Sequence, residues 1–297
     1  MIFEQIIAAG MILTTPILLT AMGGLVNKQA GIVNIGLEGK MLSGAFAAVI
    51  ISSFTGSWLL AVLGAAFTGA IIGLIFSFTI TRAGANMIVA GLGLNVLLAG
   101  ILGFILNWSF NSSGTLRMPN VVLMPKVLPE QVQIIPIFGK MLAELDPLTI
   151  FAWLTVITLP FLLTNTKIGL WIRVTGNAEK VSHSVGIRFK NIQDFSTVVA
   201  GFFSGLGGAH LGLFSIGLFN EGLTAGRGFI ALAAFYFGRD RPVATALACL
   251  LFGFLDATQI RMQTIGLPPK LIGMIPYLMV LLALIISSIR KHQRTAK

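Results

Sequence analysis

Cysteine is nearly absent from this 297-residue chain. Cys249 stands alone inside an apolar run, so no disulfide frame and no cysteine metal site can be drawn, and cysteine usage says nothing about redox compartment. Charge is also scarce: 10% of residues are charged against 56% hydrophobic, with a mean hydropathy of +0.92. A soluble domain of this size needs a polar surface that these residues cannot supply, which leaves lipid as the covering and a polytopic helical bundle as the fold class. The three histidines, at positions 183, 210 and 292, are scattered, and neither H-E-x-x-H nor G-x-S-x-G occurs, so an intramembrane enzyme lacks its constellation. His210, in a glycine-rich helix, reads as a satisfied interior residue. A phosphate loop is missing as well. Asn34 stands where its first glycine belongs and Met41 where its hydroxyl residue belongs, so ATP binding by this chain is excluded.

Long apolar runs are abundant. A helix needs roughly 20 apolar residues to cross the hydrocarbon. Nine segments approach that length: Ile6 to Val26, Leu37 to Phe54, Trp58 to Ile80, Met87 to Phe110, Pro147 to Leu163, Phe195 to Ile216, the short Phe229 to Phe237, Val243 to Ile260 and Leu271 to Ile289. No basic stretch or small-residue cleavage site marks the first as a removable signal, so it is read as a retained span. The net charge of +10 sits in clusters between these runs, which suits positive loops on the cytoplasmic side and not nucleic-acid binding. Lys167, Arg173, Lys180, Arg188 and Lys190 share one loop, and Arg82, the Arg239 to Arg241 turn and the tail fall on the same side. The segment 111–146 balances its charges and is expected outside, with the N-terminus outside and the C-terminus inside. The whole of 1–297 reads as a single transmembrane domain. A weak inverted repeat is also expected. Gly36-Leu37-Glu38-Gly39 and Gly226-Arg227-Gly228 precede apolar runs with similar spacing, 26 residues from Ala61 to Met87 and 27 from Ala244 to Leu271.

Three interruptions carry the polar chemistry. In Gly31 to Ala45, Asn34, Glu38 and Lys40 break membrane-grade text among four glycines. Either the segment is a broken helix lining a pathway, or it is an ordinary cytoplasmic turn with Lys28 and Lys40 at the interface. In Asn220 to Pro242, Glu221 and Arg227 approach the membrane, and Arg227 either snorkels from a re-entrant tip or faces a pore. Asp256 is expected to pair locally with Arg261. In the loop 166–193, Asn177 to Val185 reads as a short helix with Val181 and Val185 on one face, available to a partner or merely solvated. Acidic residues in the spans are few, so a secondary transporter or channel, the competing class, is poorly supplied with relay groups.

Together, TPILLTAMGGLVNKQAGIVNIGLEGKMLSGAFAA from Thr15, TKIGLWIRVTGNAEKVSHSVGI from Thr166, GLTAGRGFIALAAFYFG from Gly222 and GFLDATQIRMQ from Gly253 resemble the permeases of bacterial ABC importers for nucleosides and simple sugars, related to ribose and branched-chain amino-acid permeases. The resemblance covers nearly the whole chain and lies nearer the nucleoside branch. It implies a multi-pass protein of the bacterial cytoplasmic membrane with no cofactor of its own, ATP and Mg²⁺ being bound by a cytoplasmic ATPase. It further implies a second homologous permease, forming a heterodimer, and an external solute-binding lipoprotein. By the same resemblance, Asn34, Glu38, Asn95, Arg227 and Phe229 are candidates for the solute pathway. Asn177, Ala178, Glu179, Val181, Val185 and Gly186 are similar to a coupling helix that docks on the ATPase. The coupling loop departs modestly from the commoner pattern at Gly176 to Glu179 and Ser182 to Ser184, which bears on the choice of partner.

Overall fold

The computed structural model describes residues 2–112, 114–128, 143–177, 188–214 and 217–262. Its elements are α1 (Ile2–Gln29), α2 (Leu37–Thr55), α3 (Trp58–Thr81), α4 (Met87–Phe110), β1 (Thr115–Arg117), α5 (Pro147–Asn165), α6 (Lys167–Asn177), α7 (Phe189–Leu213), β2 (Leu218–Asn220), α8 (Arg227–Phe237) and α9 (Pro242–Met262). Eight of the nine expected segments coincide with helices, and six helices are long and apolar enough to cross a membrane. The ninth, Leu271 to Ile289, lies outside the described residues. The sixth segment begins earlier than its hydropathy suggests, at Phe189, because Gln193 and Asp194 are held by hydrogen bonds within the bundle.

Local signals set the helix ends. Ser57 caps α3, Asn86 caps α4 and Asp146 caps α5, each accepting from the backbone of the first turn. Gly56 closes α2 in the left-handed conformation. Along the outer faces of α3, α4 and α5, Phe67, Phe78, Val96, Trp108 and Ile157 are well exposed. Such continuous apolar surface is stable only against lipid.

The interior is built around α1, whose residues from Ile17 to Met22 are fully buried, the polar Thr20 among them. Between helices in lipid, close backbone approach replaces the hydrophobic drive as the source of stability. The α3/α7 crossing shows how. Gly69 and Gly73 on α3 face Gly201 and Gly205 on α7, and a methyl group at Gly201 would overlap the carbonyl oxygen of Gly69. On the other side of α7, Gly208 meets the Met41 carbonyl of α2 in the same way.

Contacts between helix ends orient the bundle. The C-terminus of α3 reaches the start of α7 through Arg82 and Asp194, 2.7 Å apart. Ser77 and Thr81 donate to the same carboxylate. The C-terminus of α1 joins α7 through Asn27, which donates to Ser196 and Thr197, and joins the α8–α9 turn through Lys28 and Asp240, 2.7 Å apart. Arg82, Lys28 and the 239–241 turn therefore share one end, as their charge suggests. At the opposite end β1 and β2 form an antiparallel ribbon, with Leu116 opposite Phe219. It follows that α3 and α9 run in opposite directions.

Candidate functional site

Two of the bundle's helices do not start at its surface. After α1, residues 32–35 are non-helical, and α2 begins only at Leu37. After the ribbon, a turn leads to α8, an 11-residue helix that begins at Arg227 and ends near Thr245 at the charged end. The N-termini of α2 and α8 meet within the bundle.

Glu38, in the first turn of α2, makes the joint. Its carboxylate accepts the backbone N–H of Gly226 at 2.9 Å and of Gly228 at 2.6 Å. These are orphan donors at the start of α8, where a helix presents its positive end and favours an anion. Gly226 has φ +78°, which glycine adopts freely, and the Cβ of any larger residue at 228 would stand 2.6 Å from the Cα of Glu38. Both glycines of the Gly-Arg-Gly motif are thus required for the carboxylate to reach the amides.

The other expected pathway residues surround this joint. Asn95 on α4 accepts from Gly39 N–H at 2.9 Å and donates to the Ile35 carbonyl at 3.0 Å, so it satisfies backbone that the break in α2 leaves open. Asn34 is buried and accepts from Lys40 Nζ at 2.9 Å. Arg227 donates through Nε and Nη2 to Asp256 on α9, at 3.1 and 2.7 Å, and through Nη1 to the Leu223 carbonyl. Asp256, expected to pair locally with Arg261, therefore reaches across the bundle. Phe229 projects outward and is 40% exposed, apart from the polar joint.

Lys40 corrects the reading of this stretch as an interfacial turn. It is fully buried and stands 4.3 Å above the ring of Phe76. Hydropathy does not distinguish a snorkelling lysine from one folded back onto its own segment.

Beside Arg227 lies a cavity of about 220 Å³, lined by Ile12, Pro16, His210, Phe214, Leu223 and Arg227 among others. A mostly apolar wall with a few fixed polar groups suits a small organic solute. His210 is held by Asp146, with Nε2 to Oδ2 at 3.1 Å, and its Nδ1 has no partner among the described residues. Burial pushes the Asp146 carboxyl up, but the charge and hydrogen bond of His210 and the hydrogen bonds of Thr149 outweigh it and hold it below the ordinary carboxylate range. The sequence marks His210 as an interior residue but gives no sign of Asp146 as its partner, since 64 positions separate them.

Of the expected coupling residues, 178–186 lie outside the described residues, while Asn177 ends α6. The structure adds α6 itself, an amphipathic helix from Lys167 where the sequence suggests only loop. Its Gly176 packs on the Gln29 carbonyl so closely that no side chain fits, and a Cβ on Gly31 would stand 3.2 Å from Gly176 Cα. The C-terminal end of α6 is thereby seated directly on the turn between α1 and the non-helical run 32–35.

The family described as the branched-chain amino acid transport system / permease component matches residues 6–284. Among curated relatives, the guanosine ABC transporter permease protein NupQ of Bacillus subtilis is 31% identical over 95% of this chain and 92% of its own length. The nucleoside ABC transporter permease protein NupC of Lactococcus lactis is 31% identical over 94% of this chain and 91% of its own length. A putative glucose ABC transporter permease protein of Haloferax volcanii, TsgC13, is 28% identical over 85% of this chain and 76% of its own length. No solved structure matches. An apolar bundle with six helices long enough to cross a membrane and a match along nearly the whole sequence converge on one assignment: the chain is a multi-pass cytoplasmic-membrane protein and belongs to the ABC permease family of the branched-chain amino acid transport system.

Proposed function

We propose that this chain is one permease subunit of an ATP-driven importer that carries nucleosides, or related simple sugars, into the cell. The observation that carries the substrate class is the 31% identity, over 95% of this chain, to a permease named for guanosine. The joint of α2 and α8 supports the pathway assignment. Glu38, Gly226 and Gly228 satisfy one another in this conformation, and their separation would free a carboxylate and two amide donors for the hydroxyls of a polar solute. Asn34, Asn95 and Arg227 lie around this joint and the cavity beside Arg227 gives a solute room, while Phe229 is retained as a pathway candidate from the family resemblance alone.

In this reading the domain spans 1–297 with about nine membrane segments, and the two interrupted helices belong to inverted halves, as the opposed directions of α3 and α9 support. The end holding Arg82 and the 239–241 turn faces the cytoplasm. There, the loop 166–193 docks on a separate ATPase through Asn177, Ala178, Glu179, Val181, Val185 and Gly186, and that partner binds ATP and Mg²⁺. A second homologous permease completes the membrane pair, and an external solute-binding lipoprotein delivers the solute. ATP does work here only through a difference in affinity between two conformations of the assembly. Uptake of labelled guanosine by cells with and without this subunit tests the reading. ATP-dependent uptake that disappears with the subunit supports it, and uptake unaffected by the deletion refutes it.

A further inference from the structure

Lys40 is the charged side chain in the α2 region that the joint does not use. It is 0% exposed, its hydrogen-bond partner is Asn34 Oδ1 at 2.9 Å, and its ammonium stands 4.3 Å over the ring of Phe76. Among the described residues no carboxylate forms an ion pair with it. A cation placed so deep without an anion is costly, and a methionine would fill the same space without that cost. Its geometry gives the reason for a lysine. Asn34 belongs to the non-helical run 32–35 and Lys40 to the helix that starts at Leu37, so their bond spans the helix start.

The two ends of the non-helical half are tied to different machinery. At its start, Gly31 has φ +84° and abuts Gly176 of α6. Gln193 of α7 donates to the neighbouring Ala30 carbonyl. At its far end Asn95 holds the Ile35 carbonyl, and Glu38 follows in the helix. Among the described residues Asn34 Nδ2 is buried without a partner, an unmet donor that a second conformation can satisfy. From this geometry we infer that Lys40 is a positioning residue: its bond to Asn34 clasps the non-helical and helical halves of the α2 segment, and it opens when α6 shifts against the turn at Gly31. The inference rests on the proposed function, and it adds a residue whose loss uncouples ATP hydrolysis from solute movement.

The test uses the complete transporter in proteoliposomes, with guanosine as the solute and a Val33→Cys reporter, next to Asn34 on the non-helical half, labelled by a small maleimide. Lys40→Met is expected to leave ATP hydrolysis within about twofold of wild type. Guanosine moved per ATP should fall at least tenfold, and the reporter thiol should label faster. Asn34→Asp turns the clasp into an ion pair, so the reporter should label more slowly and uptake should slow. Wild-type labelling and wild-type coupling in Lys40→Met overturn the inference. Should that variant fail to accumulate, Asn34→Asp decides alone, and labelling no slower than wild type overturns it. Absence of ATP-driven guanosine uptake in the wild type counts against the functional reading instead, while the labelling arms still judge the clasp.

Discussion

Among the described residues, Asp256, Glu38 and Asp146 place carboxylates where they are expensive, and each has a specific donor set. Asp256 pairs with Arg227 at 2.7 Å with both side chains largely buried, 14% and 12% exposed. Breaking such a pair by removing one partner leaves an uncompensated charge and costs about 3–5 kcal/mol, whereas removing both costs less. Asp256→Asn should therefore lower thermal stability in detergent more than Asp256→Asn combined with Arg227→Gln. Equal or greater loss in the double variant would show that the pair is not a coupled unit. Glu38→Gln keeps the shape of the joint and removes its charge from the start of α8. With a helix-terminus charge worth up to about 2 kcal/mol in a partly buried setting, uptake should fall on the order of tenfold while the amount of protein in the membrane stays the same. Quantitative immunoblotting beside uptake separates the two effects.

At the scale of elements, glycine positions decide which helices can touch. The α3/α7 crossing has carbonyl oxygens where side chains would be, so Gly201→Val should abolish membrane accumulation, and Gly93→Ala on α4, where no described residue lies within 4 Å, should be neutral. Immunoblotting of membranes checks both. Gly176→Ala pushes α6 off the α1 hinge and should reduce uptake while ATPase subunits still co-purify; loss of co-purification would mean that α6 itself is the docking surface. The long apolar runs are legible in the sequence because hydropathy reports length and lipid preference directly, and eight helices coincide with them. The break before α2 is legible as well, since glycine and Asn34 interrupt an apolar run. The fold-back of Lys40, the Arg227–Asp256 pair and the Asp146–His210 pair are not, because each depends on which helices become neighbours. The helix at Lys167 escapes for another reason: it is short, amphipathic and follows α5 with almost no intervening turn.

For the whole molecule, the distribution of polar groups matters more than their number. One end gathers Lys28, Arg82, Asp194 and Asp240 into ion pairs, the middle holds Glu38, Lys40 and Arg227, and the opposite end is closed by the β1–β2 ribbon. Glycine contacts at Gly31 and Gly176 connect the first region to the second, which gives a physical route from α6 to the meeting point of α2 and α8. The account depends on those two helix ends separating during transport. Its most direct test is a cysteine cross-link beside the joint, with Leu37→Cys and Ala225→Cys, which leave Glu38, Gly226 and Gly228 in place, in the reconstituted transporter and guanosine uptake measured before and after oxidation and again after reduction. If the joint opens, oxidation stops ATP-driven uptake in the cross-linked fraction and reduction restores it. Uptake that continues at the same rate through a fully cross-linked joint would contradict the account.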